Sequence, residues 1–291
     1  MQLTRTADLS AEIDAFAARY GGRVGLPAVL VDLDRRLRRT WAPCRTPHRA
    51  WTWDRADRGD RRWWPQGIAA APGGRYVATT WYSPRGGVRL SFVDIRRRRY
   101  RHVELVRPVD GGHDPLRVHA GGLAWEATRL HVAATATGLW VCDTDDVVRG
   151  PDGYLLPVRH LLEPSEPFRF SFVGLAGEEM VVGEYDNAHG TRRLGRGPVE
   201  GPFVLHEAGV RRAQGAVHVA GRWYLTASHG RWRPGSVWSG TEGALREHRF
   251  AVPMGPEDLA YDRATDRLWT LTEHPHRRWV LSLRRSHFSS G

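Results

Sequence analysis

The sequence predicts an all-β fold, a β-propeller, and two observations carry that prediction. Five times the chain repeats one phrase: a small or polar pair, an apolar run, a short turn, and a second apolar run ending in aromatic or polar residues. The copies begin at Trp64, His119, Arg169, Arg212 and Gly255; with Ile68, Leu123, Val173, Ala216 and Leu259 taken as equivalent, the spacings are 55, 50, 43 and 43 residues. A period near 40–50 residues built from short strands is the signature of propeller blades. The second observation is the punctuation. Runs of strand length are bounded by turns such as Pro72-Gly73-Gly74 and Pro84-Arg85-Gly86-Gly87, where Gly and Pro supply the turn geometry.

Taken in order, residues 10–20 read as a helix, because Ile13, Phe16, Ala17 and Tyr20 share one face and Gly21-Gly22 ends it. Residues 28–33 read as a strand, and residues 42–62, rich in Pro, Arg, Asp and Trp, as an irregular arm. Blade one reads as strands at 67–71, 76–82, 88–95 and 100–106. Blade two has runs at 122–125, 130–136 and 138–142, then an irregular stretch towards 155–160. Blade three shows only 172–175 and 180–185, blade four has 215–219, 223–228, 237–239 and 246–252, and blade five has 258–261, 268–272 and 279–283. An open ring would leave two unpaired sheet edges, so the strand at 28–33 is expected to complete blade five. The division is therefore residues 1–60 as helix, closing strand and arm, and residues 61–291 as the propeller, with five blades; a sixth blade built from residues 24–60 is the alternative.

Composition narrows the function classes. The chain has 291 residues, a net charge of +11 and a pI near 10.6, yet it contains no lysine, so the basic excess is all arginine. With abundant Ala, Gly and Pro, this pattern reads as the coding bias of a GC-rich genome and not as a phosphate footprint; no nucleic-acid partner is expected. The run Arg96–Arg99 reads as a solvated turn between outer strands. The absence of lysine excludes a Schiff base on a lysine side chain. No long apolar stretch is present and the first 22 residues lack a charged region followed by an apolar one, so no membrane partner is expected and the cytoplasm is the expected location. Cys44 and Cys142 form no metal motif.

In a propeller, the loop entering each innermost strand and the loop leaving each second strand open on the same face. Two positions before the reference residue stand Gln66, Gly121, Ser171, Gln214 and Glu257; four before it stand Trp64, His119, Arg169, Arg212 and Gly255. The second strands end at Trp81-Tyr82, Thr135, Glu184-Tyr185-Asp186-Asn187, Ser228-His229 and Glu273-His274. Carboxylates, histidines and aromatics converging on one mouth are what a small-molecule site requires. Glu257, aimed at a crowded axis, is the expected general acid or base, with His119 as its proton partner and Glu184 as a second carboxylate. Gln66, Gln214 and Arg169 are expected to orient polar groups; Trp64, Trp81, Tyr82, Tyr185, His229 and Glu273 complete the substrate-binding set. Each has a structural reading beside it: the two glutamines recur at one repeat position and can simply bond neighbouring blades. No cofactor is expected, and a divalent cation between Glu184, Glu273 and Asp186 is an option that no motif supports.

The phrases Trp63-Trp64-Pro65-Gln66-Gly67-Ile68, Val118-His119-Ala120-Gly121-Gly122, Val182-Gly183-Glu184-Tyr185, Gln214-Gly215-Ala216-Val217 and Gly255-Pro256-Glu257-Asp258-Leu259 together resemble a family of actinobacterial propeller-like proteins, usually described only as secreted. The resemblance spans about residues 61–283 and implies the propeller fold but no established reaction. The expected function is a small-molecule lyase, cyclase or hydrolase of specialised metabolism working by acid–base chemistry at the mouth. A non-catalytic ligand- or carbohydrate-binding propeller is the alternative, and a glycoside hydrolase the narrower enzyme alternative. Rim residues that differ from blade to blade favour one asymmetric site over several equal ones.

Overall fold

Short strands joined by Gly- and Pro-bearing turns fold back on one another as antiparallel meanders. The structure, a computed structural model, describes residues 1–185, 192–199, 201–207 and 209–289. Blade one is Trp64–Ala70, Tyr76–Ser83, Gly87–Asp94 and Arg99–Val109. Blade two is Ala120–Glu126, Arg129–Ala134, Gly138–Asp143 and Gly153–Pro164. Blade three has four strands, Phe172–Ala176, Glu179–Gly183, Arg193–Pro198 and Val204–Glu207. Blade four is Ala213–Val219, Arg222–Ala227, Gly235–Thr241 and Ala244–Val252; blade five begins with Pro256–Asp262, Arg267–Thr272 and Trp279–Arg284. The first strands lie side by side around one axis, and Pro256–Asp262 returns beside Trp64–Ala70. The fold is a β-propeller.

Residues 28–33, expected to close the ring, do not form a strand. They belong mostly to a helix, Gly25–Val31. Pro27 sits in its first turn, where a missing N–H costs nothing, and an apolar run this short suits a strand or a helix face equally. The closing strand is His48–Thr52, drawn from the arm: it pairs antiparallel with Trp279–Arg284, and Arg38–Thr40 covers its other edge. Trp51 stacks on Trp269 across this junction, with ring centroids 5.6 Å apart.

Two further contacts lock the ring. The outer strands of blades one and two pair in parallel, Tyr154 to Pro157 beside Val103 to Val106, and the helix Ser10–Arg19 packs Phe16 and Ala17 over this seam onto Val106 and Leu155. At the axis, the position one before the reference residue is Gly67, Gly122, Phe172, Gly215 and Asp258. Glycine is required there by approach: a Cβ on Gly122 would lie 2.3 Å from Val173 N, and one on Gly215 2.2 Å from Leu259 N. Blade five places Asp258 at this position, wholly buried. Its Oδ2 accepts from the N–H groups of Ile68 (3.0 Å) and Leu123 (2.9 Å), which belong to blades one and two.

Removing that carboxylate leaves two buried donors unpaired. Asp258→Ala is expected to lower the unfolding free energy by about 2–6 kcal/mol, from about 1–3 kcal/mol for each of the two orphaned groups. Asp258→Asn, which keeps an acceptor oxygen, should lose less. Urea unfolding of the three proteins checks the order.

Candidate functional site at the propeller mouth

The recurring phrase has a structural meaning. In four of the five first strands the register slips at that point: between Pro65 and Ile68, Ala120 and Gly122, Ala213 and Gly215, and Pro256 and Leu259. A β-bulge of this kind re-aims a side chain while ending regular pairing. The bulged residues are Gln66, Gly121, Gln214 and Glu257, the set that the repeat selects.

Glu257 is 4% exposed. Its carbonyl accepts from the hydroxyl groups of Thr226 (2.8 Å) and Thr270 (3.4 Å), which fix the bulge. Burial, and then the charges of Glu273 and Asp258, raise its carboxyl well above the ordinary range. Glu273 faces it from the end of the second strand of blade five. Gln66 Nε2 donates to Glu273 Oε2 at 3.2 Å and to the Pro65 carbonyl at 3.1 Å. Burial raises Glu273 too, opposed by the Gln66 bond and by the charges of Arg278 and Arg231. His274 Nδ1 lies 3.3 Å from Glu273 Oε1, though not aligned for a hydrogen bond; burial, then the charges of Arg277 and Arg231, lower its imidazole to about 4.

Tyr82 joins the two sides of this group. Burial, then the charges of Glu273 and Glu257, push its phenol up. The His119 ring stands edge-on to it, with centroids 4.3 Å apart. The residue keeps solvent contact, yet the surrounding walls, and secondarily the Arg169 charge, hold the imidazole below the ordinary histidine range. The structure thus brings together Gln66, Tyr82, His119, Glu257 and Glu273. Arg169 is exposed, its charge within reach of His119, and Trp64, Tyr185 and Gln214 are half-buried.

Three expected site residues lie elsewhere. Trp81 is wholly buried in the core: its indole N–H donates to Thr79 Oγ1 and Ser91 Oγ, and its ring meets Trp53. Trp81 and Tyr82 are neighbours on a strand, and successive strand side chains point to opposite faces; only one of them can reach the mouth. Glu184 is buried and committed. It accepts from Arg169 N (3.1 Å) and from Arg193 Nη2 (2.8 Å) and Nε (3.0 Å), and these bonds outweigh burial to hold it ionised. It anchors the loop that enters blade three, and Glu273 is the carboxylate that stands beside Glu257. His229 turns outward on blade four, bonding Ser236 Oγ at 2.7 Å. Asp186 and Asn187 lie outside the described residues. Among the described residues, no group of three His, Cys, Asp or Glu side chains is arranged to hold a metal ion.

Sequence reasoning missed two supports. Arg278 is wholly buried and donates to three carbonyl oxygens, those of Glu273 (2.7 Å), Asp57 (2.5 Å) and Trp63 (2.7 Å). It ties the carboxylate loop to the arm, and burial lowers its guanidinium to about 10. Asp57, in the helical turn Arg55–Gly59, accepts from Arg89, Tyr100 and His102 and pairs with Arg35. Burial opposes its charge, but His102, Arg89 and Tyr100 together hold it well below the ordinary range. The only sequence signal was an acidic residue amid arginines in a stretch without periodicity.

No protein-family model matches the chain, and no curated protein matches it. Among solved structures, it is similar to a gluconolactonase from Xanthomonas campestris, at 16% identity with a TM-score of 0.48, covering 87% of this chain and 86% of that one. It is also similar to the glutaminyl cyclase of Myxococcus xanthus, at 12% identity with a TM-score of 0.44, covering 76% and 93%. A thermostable family-43 glycoside hydrolase matches at 7% identity with a TM-score of 0.48, covering 75% and 88%. Among the described residues, no helix is long and apolar enough to cross a membrane.

A carboxyl raised in the folded state binds protons more tightly folded than unfolded. Its cost is absent below the ordinary value of 4.5 and grows as pH climbs towards the raised value. Glu257→Gln is therefore expected to stabilise the protein at neutral pH and to gain little in mild acid. Thermal unfolding of both proteins across that window checks the sign.

Proposed function

We propose that the protein is an enzyme of the hydrolase, lyase or cyclase kind, acting by acid–base chemistry on a small organic molecule at the propeller mouth. The observation that carries this reading is the Glu257–Glu273 pair. Two carboxyls in electrostatic reach titrate as a unit, and their surroundings differ. Glu257 is enclosed, and burial with the charges of Glu273 and Asp258 makes it retain the proton; Glu273 has Gln66 and two arginine charges to favour ionisation. Environments that push two like groups apart assign acid and base between them. Glu257 then donates a proton to a leaving group or carbonyl, and Glu273 accepts one. His119, kept neutral, can exchange the proton with solvent at the open side. Gln66 orients Glu273, Tyr82 forms the aromatic wall, and Arg169 at the rim is placed to meet a polar or anionic substituent.

On this reading the reaction belongs to specialised metabolism, and the sequence resemblance points to an actinobacterial setting. A glycoside hydrolase is the narrower form of the same reading, since a carboxylate pair also serves glycosidic cleavage. Purified protein incubated with extract of its producer, followed by small-molecule mass spectrometry, tests it. Wild type should consume a metabolite that Glu257→Gln turns over about 10²–10⁴-fold more slowly. A ligand retained unchanged and equally by both proteins identifies a binding propeller instead.

A further inference from the structure

Blade four carries a second cleft, of about 820 Å³, outside the carboxylate mouth. Arg211, Arg212, Arg233 and Arg249 line it, with Trp238 and Phe250 as apolar wall. Among the described residues that line it, the one carboxylate is Glu247, and it is already engaged: Ser236 Oγ donates to Oε1 at 2.6 Å and Arg249 Nε to Oε2 at 2.9 Å. Arg212 and Arg233 form no ion pair among the described residues. Arg212 and Arg233 therefore give the cleft two cations whose donors are not engaged among the described residues.

Its walls are shaped by backbone irregularity. The outer strand of blade four slips register between the Gly235–Val252 and Val237–His248 pairs, and Phe250 lies in that slip. Phe250 adopts φ 60° inside a strand, a conformation that a bulky aromatic residue rarely takes, and its ring remains partly exposed. Arg45 holds it from the other side, donating its N–H to the Phe250 carbonyl at 2.8 Å and placing its guanidinium 4.7 Å from the ring centre. Arg212, at φ 54°, is also left-handed and lines the same cleft. Unfavourable conformations kept on the wall of a cleft mark sites whose geometry serves a ligand.

His229, Ser236 and Glu247 meet here but do not form a nucleophilic triad. Glu247 accepts the serine proton itself, and the same histidine nitrogen contacts both partners, Ser236 Oγ at 2.7 Å and Glu247 Oε1 at 3.4 Å. A triad needs the carboxylate on the far ring nitrogen. The three hold the floor of the cleft.

We propose that this cleft binds a small phosphate ester, its phosphate held by Arg212 and Arg233 and its apolar body laid against Trp238 and Phe250. Guanidinium forks match phosphate oxygens in bidentate geometry, and the volume suits a molecule of metabolite size. The proposal does not depend on the catalytic reading of the mouth.

Titration calorimetry with phenyl phosphate tests it, with benzoate and benzyl alcohol as comparison probes. Phenyl phosphate should bind one to one and weaken with added salt. The double variant Arg212→Gln, Arg233→Gln should lose at least about tenfold in affinity, while Glu257→Gln binds as wild type does. Both arginines are exposed, and the salt dependence of the wild type needs no variant. Equal binding by wild type and the double variant, or no binding, overturns the site. Loss of binding in Glu257→Gln moves the ligand to the mouth, and benzoate binding as tightly as phenyl phosphate removes the phosphate assignment.

Discussion

The Asp258 carboxylate at the axis is the interaction on which the rest of the ring depends. A propeller's innermost strands converge, and the glycines of blades one, two and four let their backbones approach too closely for any side chain. Convergence leaves N–H groups pointing at an axis where no further strand can pair with them. One oxygen from blade five satisfies two of them, on Ile68 and Leu123, and so links three blades at a point. A buried carboxyl held by several N–H donors is costly to desolvate and more costly to remove.

The mouth follows from the same convergence. Where the first strands crowd, regular pairing fails and each bulge turns a side chain outward. In blade five the bulge holds two consecutive acids, and they divide the work: Asp258 faces inward to the axis and Glu257 faces the mouth. Hydroxyl groups of Thr226 and Thr270 pin the bulge, while Arg278 holds the opposing loop against the arm. The two acids differ in what they do for the ring: Asp258 is held by N–H donors of two neighbouring blades, whereas Glu257 is a buried carboxyl beside two other acids, a position that costs stability once it ionises.

Much of this was legible in the sequence, for a definite reason. Gly67, Gly122 and Gly215 recur because backbone approach demands them, and the residue before each is the bulged one, so periodicity alone located Gln66, Gln214 and Glu257. Periodicity could not tell which bulged residues meet. Gln66 reaches Glu273 across the junction of blades one and five, a contact 207 residues apart in the chain. Trp81 was misplaced because the repeat gives position along a strand and not which face a residue takes. Glu184 was misread because its partner, Arg193, begins a strand with no apolar alternation. His48–Thr52 escaped notice for a similar reason: its strand character comes from pairing with Trp279–Arg284, not from its own pattern of Arg, His and Trp.

That closing strand imposes an order on synthesis. Thr52 donates to the Arg278 carbonyl, 226 residues later in the chain, so at ribosomal rates the partner arrives on the order of tens of seconds after the strand itself. Throughout that interval the segment must wait beside a growing, partly folded nascent chain. It does not wait as a bare edge. Arg38–Thr40 lies close in sequence and can pair with it at once, while Arg38, Arg39 and Arg49 give the little hairpin a charge that discourages capture by a neighbouring chain. The same arginines that line the finished edge are thus suited to guard it during the vectorial birth of the ring.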